Sequence, residues 1–317
     1  MSGFTTSIPY LTRSNLWSTE LKEVLEDELY AQRYIDWITD FPDGDTLNIP
    51  SVGQMEVQDY AENQPIRYTA MDTGNFTFTI TDYKSSGTYV TKKMLQDSYV
   101  MDRIKATFVP RMKRALMKVI EQDVLAVGPA GQTLTSDNSI NGARHRMIGS
   151  GANETLAVED FAYALYALQK ANVPTTNLVA IVDPSCEVAF NKITNLVNFS
   201  NNPRWEGIVS TGISTGMKFI KNIYGFDVYT SQNLKVNTAS EAINGVTAAA
   251  GVNNLFFSAT PDVLPFVGSM RQSPEVQSEF NKDFQREEHV VTCRYGFKLY
   301  RPENLVCVVT DTDQVYA

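Results

Sequence analysis

The sequence is poor in cysteine and histidine. It contains three cysteines, Cys186, Cys293 and Cys307, and two histidines, His145 and His289. An odd and sparse cysteine count argues against a disulfide-stabilised scaffold and favours a reducing compartment such as the cytoplasm. No cysteine or histidine pair has the spacing of a metal site, and no glycine-rich phosphate loop occurs. The sequence therefore predicts neither a metal ion nor a cofactor.

The sequence also lacks a basic excess and any long apolar run. Its 27 lysines and arginines stand against 36 aspartates and glutamates, which gives a net charge of −9. Proteins that read DNA sequence usually carry a basic excess, so that class is disfavoured, while a local basic patch stays open. A membrane-spanning helix needs about 20 apolar residues, and an exported chain needs a signal peptide. Neither pattern occurs, which predicts no membrane partner and no export by the general secretory route.

The 317 residues are 43% hydrophobic, enough for two domains or one large elaborated domain. Residues 1–15 are rich in serine and threonine and predict an extended arm. From Ser18 onwards, apolar residues recur at helical spacing and predict a helix that ends before the breaker sequence Phe41–Asp45. These apolar positions are Leu21, Val24, Leu25, Leu29 and Ile35.

Residues 47–90 change to a composition typical of β-strands. Phe76, Phe78 and Ile80 alternate with threonines, and this period of two predicts a strand. A polar segment near Glu62–Gly74 separates two such runs, so we expect a long two-stranded hairpin. A lone hairpin is only marginally stable in water, so a neighbouring subunit is expected to cover it.

A second long helix is predicted over Val90–Val127, ended by the sequence VGPAGQ. An apolar stripe runs along it, and basic residues occupy the remaining positions. Such a face is usually just solvated, but it could also contact an anion, a nucleic acid or an acidic partner. Pro110 is expected to kink this helix or divide it. The stripe is Ile104, Phe108, Met112, Leu116, Val119 and Ile120, and the basic positions are Arg103, Lys105, Arg111, Lys113, Arg114 and Lys118.

The second half predicts an α+β arrangement. Residues 128–156 are expected to form a loop, in which the run Arg144–Arg146 is solvated. A helix at Val158–Val173 is followed by a buried strand at Leu178–Val182 and by Asp183 and Pro184, which suit the start of another helix. Residues 198–217 predict a long loop, and NTASEAINGVTAAAGVNN predicts a linker or flap. Further strands are predicted at Lys218–Tyr229, Asn254–Ser258, Val263–Phe266, Val290–Tyr300 and Leu305–Thr310.

Two stretches of eleven residues are nearly the same. YGFDVYTSQNL spans Tyr224–Leu234 and YGFKLYRPENL spans Tyr295–Leu305. A repeat array needs about three copies of a whole unit, and no third copy exists. We therefore expect two strands of similar chemistry, each with a glycine where the backbone bends or approaches a neighbour.

One enzyme motif is present. Residues 212–216 fit the G-x-S-x-G pattern around Ser214, and Asp262 and His289 follow in the chain order of an α/β-hydrolase. The pattern requires a strand before the serine and a helix after it, whereas a loop and a strand-rich segment are predicted here. Short motifs of this kind often match by chance, so catalysis is disfavoured.

The order of these elements resembles the major capsid protein of tailed bacteriophages, the Hong Kong 97-type coat fold. LVAIVDPSCEVAF resembles the strand-Asp-Pro-helix of its axial domain, and IKNIYGFDVYTSQNL resembles a later strand of that domain. LFFSATPDVLPF and RYGFKLYRPENLVCVV resemble its final strands. The resemblance implies an arm and helix over residues 1–50, an extended hairpin loop over 51–90, and a spine helix with the first part of a peripheral domain over 91–156. Residues 157–260 would form an axial domain, and 261–317 would return to the peripheral domain.

That resemblance implies a coat protein that assembles in many copies, as pentamers and hexamers, into an icosahedral shell around double-stranded DNA. Glu62, Arg67, Tyr68 and Lys84 are the candidate inter-subunit contacts of the hairpin. Arg103, Lys105, Pro110, Arg111, Arg114 and Lys118 are the candidate basic face and hinge of the spine helix, with further joints at Gly74 and Gly87. The short segment before the hairpin implies a separate scaffolding protein. A portal protein, a decoration protein and non-specifically packaged DNA are the other expected partners.

Three other interpretations stay open from the sequence. An encapsulin-like shell on the same fold would enclose an enzyme rather than DNA. A hydrolase would use Ser214, and a tail or adaptor component would form rings. The resemblance implies a chain that is assembled in the bacterial cytoplasm and located in the virion. No covalent crosslink through Lys84 is predicted, because nothing identifies an acceptor.

Overall fold

A computed structural model describes residues 29–39, 46–52, 59, 62–63, 73–93, 101–186, 219–237, 241–248 and 251–311. Its longer helices are α1 (Met101–Gly131) and α2 (Val158–Lys170). Its first strands are β1 (Ile35–Trp37), β2 (Thr46–Val52), β3 (Thr73–Thr79), β4 (Asp82–Thr91), β5 (Arg146–Ile148), β6 (Leu178–Val182) and β7 (Phe219–Ile223). The later strands are β8 (Phe226–Thr230), β9 (Glu241–Ile243), β10 (Val246–Ala248), β11 (Val252–Ser258), β12 (Phe266–Asn281), β13 (Arg286–Leu299) and β14 (Val306–Thr310).

A six-stranded mixed sheet lies between the two helices. Its strand order is β5-β14-β11-β6-β8-β7. Along β11 the apolar side chains alternate, so Phe256 packs with Phe161 of α2 while Leu255 and Phe257 pack in the core that contains α1. Strands β6, β11 and β14 are buried at every position, as expected for strands covered on both faces.

A four-stranded sheet, in the order β1-β12-β13-β4, forms the second layer against α1. Leu116, Ile120 and Val124 of α1 share a buried cluster with Val291 and Tyr295 of β13. The predicted apolar stripe is confirmed at Met112, Leu116 and Ile120, which are buried, while Val119 is half-buried. A separate two-stranded sheet, β2 with β3, projects next to this layer, and β9 pairs with β10.

The predicted N-terminal helix is wrong at its end. Residues Ala31–Tyr34 form one 3₁₀ turn, and Ile35–Trp37 then form β1, which runs parallel to β12. Ile35 enters the core and the Trp37 ring meets the Phe297 ring edge-on, so tertiary packing overrides the helical spacing. Residues 1–28, where that helix was predicted to begin, lie outside the described residues.

The long helix differs from its prediction at its start, at Pro110 and at its C-terminal end. Val90 and Thr91, where the helix was predicted to begin, are the last residues of strand β4 and pair with β13. It is one continuous helix through Pro110, so the predicted division in two is wrong. It also continues through Gly128 and Pro129 to Gly131 instead of ending at VGPAGQ. A Cβ atom on Gly131 would lie 2.7 Å from the Cβ of Leu299, so this glycine permits close packing rather than helix termination.

Other elements of the second half are confirmed with some corrections. Helix α2 and strand β6 lie where they were predicted, and the Asp183 carboxylate accepts a hydrogen bond from the Ser185 amide. Lys218–Tyr229 is not one strand, because β7 and β8 form a hairpin within it. Val263–Phe266 is not a strand either, since a 3₁₀ turn at Pro261–Val263 precedes β12. The predicted flap contains the hairpin β9–β10, and the long loop over 198–217 lies outside the described residues.

The repeated sequence has two different structural roles. Tyr224 and Gly225 form the turn between β7 and β8, with φ angles of 50° and 86°. Gly296 lies inside β13, where a Cβ atom would come within 2.9 Å of both the Ile80 Cα and the Thr79 carbonyl oxygen. The prediction that each glycine lies where the backbone bends or approaches a neighbour is confirmed, but the first stretch begins in a turn and its strand starts only at Phe226. The closing asparagines, Asn233 and Asn304, are both buried.

Candidate functional site

Only two of the three residues of the predicted hydrolase motif, Asp262 and His289, lie in the part of the chain that the structure describes. Ser214 lies outside the described residues, and Asp262 lies in the 3₁₀ turn before β12. His289 lies in β13, where its Nδ1 is 2.8 Å from Ser278 Oγ and its Nε2 is 3.8 Å from Glu287 Oε1. Within the ranges that the structure describes, no cluster of three His, Cys, Asp or Glu residues could hold a metal ion. No described helix is long and apolar enough to cross a membrane.

The predicted solvated run Arg144–Arg146 is wrong at two of its three positions. His145 and Arg146 are both fully buried. Arg146 NH2 donates to Asn253 Oδ1 at 3.3 Å and NH1 contacts Cys307 Sγ at 3.7 Å. Burial lowers the pKa of His145, so its neutral form is favoured inside the fold. This cluster stabilises the pairing of β5 with β14 and leaves only Arg144 at the surface.

A buried carboxylate attaches the N-terminal segment to α1. Glu121 is fully buried, and its two oxygens accept hydrogen bonds from the backbone amides of Tyr30 and Ala31 at 2.7–2.9 Å. Burial raises the pKa of Glu121, and these amides oppose the shift. No sequence pattern indicates this role, because one glutamate in a charged helix resembles any other.

Lys84, a candidate inter-subunit contact of the hairpin, lies in β4, which begins after the β2–β3 pairing ends at Thr79. Its ammonium group is 3.7 Å from Asp123 Oδ2 of α1 and 4.0 Å from Asp82 Oδ1. The buried Tyr295 hydroxyl also donates to Asp123 Oδ2, at 2.5 Å. Burial raises the pKa of Tyr295, and the hydrogen bond to Asp123 and the negative charge of Asp123 raise it further. Lys84 therefore joins strand β4 to helix α1 within one subunit.

The structure describes the side chains of the predicted basic face of α1 from Arg111 onwards. Lys113 and Lys118 are exposed, and Arg111 and Arg114 are half-buried. Arg111, Arg114 and Lys118 recur at steps of three and four residues, so they share one face of the helix. Arg103 and Lys105 lie in the same helix, but their side chains are outside the described residues.

The β2–β3 ribbon, residues 46–52 and 73–79, confirms the predicted hairpin pairing with Thr46 opposite Thr79 and Val52 opposite Thr73. Its base is fixed by the buried Phe78 and by the Phe76 ring, which meets Tyr300 edge-on. Beyond this base the described side chains are exposed or half-buried. Glu62 is exposed in a turn between the two strands, and Arg67 and Tyr68 lie outside the described residues.

A second exposed feature is the β12–β13 tip, residues 279–288. The Phe284 side chain is 67% exposed there, the largest fraction among the exposed apolar side chains of the described residues. The Arg286 guanidinium lies over both the Phe284 ring, at 4.7 Å, and the Tyr89 ring of β4, at 4.6 Å. Arg286 Nε also donates to Glu288 Oε1 at 2.6 Å.

Comparisons of the sequence and of the structure with known proteins both find similarity to phage capsid proteins. Residues 75–308 match a family model described as phage capsid protein. Among curated protein sequences, none matches this chain significantly. Many solved structures share its fold over nearly the whole chain, at low sequence identity.

Three of these structures show the extent of the similarity. A chain from Mycobacterium phage Che8 is 19% identical, with a TM-score of 0.66 over 96% of this chain and 98% of its own. A capsid chain of cyanophage P-SCSP1u is 16% identical, with a TM-score of 0.69 over 97% and 95%. A capsid chain of cyanophage Pam1 is 14% identical, with a TM-score of 0.67 over 98% and 99%.

Proposed function

This chain belongs to the phage capsid protein family and is a subunit of a capsid shell in the virion, and from this premise we propose that its copies close into an icosahedral shell around the double-stranded DNA of a tailed phage. The family match favours this function over an encapsulin-like compartment, a ring-forming tail component or a hydrolase that uses Ser214. The proposed arrangement is of the Hong Kong 97 type, with the five segments predicted from the sequence.

The observation that carries this proposal is the exposed β2–β3 ribbon. Two strands alone are marginally stable in water, and apart from Phe76 and Phe78 at its base the ribbon's described side chains lie outside the buried clusters and are exposed or half-buried. A neighbouring subunit in the shell would cover it. Glu62, Arg67, Tyr68 and residues beside them are then the inter-subunit contacts, and the interface is obligate and large.

The basic face of α1 is proposed to meet an acidic partner or the packaged DNA. Arg111, Lys113, Arg114 and Lys118 are accessible to different degrees, whereas the whole chain carries a net charge of −9. A shell whose inner surface is negatively charged apart from this basic face would bind DNA weakly and without sequence preference. A scaffolding protein, a portal protein and a decoration protein are the further partners that the resemblance implies.

Shortening the ribbon tests the proposed role. Residues 53–72 are replaced by Asn-Gly, a two-residue turn that suits the antiparallel pairing of Val52 with Thr73. We expect the subunit to fold, since both core clusters on either side of the six-stranded sheet are untouched. We expect shell formation to be lost, as measured by size-exclusion chromatography and electron microscopy. Shells that form normally from the shortened chain would overturn the proposed role of the ribbon.

A further inference from the structure

The segment 30–38 packs on helix α1 and contacts both large sheets, and we call it the clamp segment. Its first half reaches the six-stranded sheet through two pairs of aromatic rings. The ring centroids of Tyr30 and of Tyr229 in β8 are 5.4 Å apart, and those of Tyr34 and of Phe257 in β11 are 5.2 Å apart. Aromatic rings attract each other over a range of offsets and angles at such distances, so this half can slide slightly without losing its contacts.

The second half of the clamp segment is fixed to the four-stranded sheet by its backbone. Residues Ile35–Trp37 form β1 and pair in parallel with Phe266–Gly268 of β12. The Ile38 amide donates to the Gly268 carbonyl oxygen at 2.9 Å, and the Ser269 hydroxyl donates to the Ile38 carbonyl oxygen at 3.0 Å. These directional hydrogen bonds hold the second half in one position.

The first half depends instead on one buried charge. It forms a 3₁₀ turn, and the Glu121 carboxylate of α1 accepts hydrogen bonds from the amides of Tyr30 and Ala31 at 2.7–2.9 Å. Opening this half would return the carboxylate to water, and the regained solvation would offset part of the lost hydrogen bonds. In the second half the one charged side chain, Asp36, is already exposed, so opening there gains no such solvation. The Glu121 end is therefore the easier end to open.

From this asymmetry we propose that the clamp segment fixes the angle between the two sheets and opens at its Glu121 end, while Ile35–Trp37 stay paired with β12. Opening frees the six-stranded sheet to tilt across α1 by small sliding movements of packed side chains. Pentamers and hexamers of one shell need subunits of different curvature, and the open and closed clamp supply two shapes. The inference therefore rests on the proposed function. Glu121 acts as a positioning residue in it, because it selects between these shapes.

Hydrogen exchange of unassembled subunits tests where the clamp segment opens. Glu121→Gln replaces one acceptor oxygen by an amide group and should speed the exchange of the Tyr30 and Ala31 amides by about tenfold or more. The Ile38 amide should exchange at the wild-type rate, because its bond to Gly268 stays intact. The matched control is Glu275→Gln at an exposed position of β12, which should change none of these rates.

A reversible covalent lock tests whether opening is needed for assembly. The Gln32 side-chain nitrogen lies 3.9 Å from the Met117 sulfur of α1, so cysteines at these two positions can be joined by a short bis-maleimide with a cleavable linker. The three native cysteines are buried, at 2%, 0% and 0% exposure, and should not react. We expect locked subunits to form no closed shell and to regain assembly when the linker is cleaved. Gln32→Cys alone, treated with the same reagent, should assemble like the wild type.

The outcomes separate the clamp from the proposed function. Locked subunits that close into shells of normal size would overturn the inference. The same holds if Glu121→Gln speeds the exchange of all three amides equally, or of none of them. A wild type that forms no shell would contradict the proposed function, while the hydrogen exchange of its subunits would still show whether the clamp segment opens at Glu121.

Discussion

At the scale of single residues, Glu121 connects the N-terminal segment to the long helix. Its fully buried carboxylate accepts hydrogen bonds from the backbone amides of Tyr30 and Ala31, and the Ala31 amide contacts both of its oxygens. Hydrogen bonds to a charged acceptor are stronger than neutral ones, but burying the charge has a cost in solvation. The raised pKa of Glu121 indicates that this cost exceeds the gain from the amides.

This balance predicts how Glu121 affects stability as the pH changes. A carboxyl whose pKa is higher in the folded chain stabilises the fold most below its unfolded pKa, and loses that contribution as the pH rises through its folded pKa. The free energy of unfolding of the wild type, relative to Glu121→Gln, should therefore fall as the pH rises from the unfolded glutamate pKa of about 4.3 through neutral pH. Urea unfolding of unassembled subunits across this range measures it. A difference that is independent of pH, or that grows with pH, would contradict the account.

The two glycines Gly296 and Gly87 give a second prediction at this scale. A Cβ atom at Gly296 meets backbone atoms of Thr79 and Ile80 at 2.9 Å, whereas at Gly87 the nearest atom is a Val290 methyl at 3.4 Å. Gly296→Ala should reduce the free energy of unfolding by about 1–3 kcal/mol, because backbone cannot move aside easily. Gly87→Ala on the neighbouring strand is the control and should change it by less than about 0.5 kcal/mol. Equal losses in urea unfolding would show that the close approach at Gly296 is unimportant.

At the scale of secondary structure, α1 determines how both sheets are placed. Its buried side chains contact β13 on one side and β11 of the six-stranded sheet on another. It continues through Pro110, which cannot donate a hydrogen bond to the carbonyl group four residues earlier. That missing bond weakens the helix backbone at Pro110, as it does near the C-terminal end at Pro129, and we keep Pro110 as a predicted hinge.

Restoring the missing bond tests the hinge. Pro110→Ala should raise the free energy of unfolding of the subunit by up to about 3 kcal/mol. If pentamers and hexamers need different curvature of α1, the same change should make shell size less uniform in electron micrographs. A matched control is Ala130→Ser, at an exposed position near the other end of the helix. Uniform shells of normal size from Pro110→Ala would remove Pro110 as a hinge.

The sequence pattern predicted an element correctly where a single pattern, a continuous apolar run or a helical spacing, extends through that element. The buried run Leu178–Val182 and the helix from Val158 have clear patterns, and both are found there. Strand β12 was missed because its sequence FVGSMRQSPEVQSEFN contains a glycine, a proline and several charges. Two register irregularities between Met270 and Glu275 accommodate that proline, and pairing with β13 supplies the order that local sequence does not.

Burial of charged groups could not be predicted from the sequence. Arg146 and Glu121 are fully buried because distant residues, Asn253 and the Tyr30–Ala31 backbone, provide hydrogen bonds. Such partners are identified only by the tertiary fold. The exposed features were predicted in part: the ribbon follows from alternating residues, whereas the β12–β13 tip needed the strand that the sequence pattern concealed.

At the scale of the whole molecule, the exposed features are those that a shell subunit requires. The ribbon and the β12–β13 tip both carry exposed side chains outside the buried clusters of the described residues. A net charge of −9 keeps free copies apart, so assembly depends on contacts that outweigh this repulsion. Raising the salt concentration screens the repulsion and should favour assembly.

Negative-stain electron microscopy of the purified chain, with and without added salt and a co-expressed scaffolding protein, tests the central claim most directly. The account predicts closed shells, or the pentamers and hexamers from which they form. A chain that stays monomeric under every one of these conditions would contradict it, because the exposed ribbon would then have no need of a neighbour.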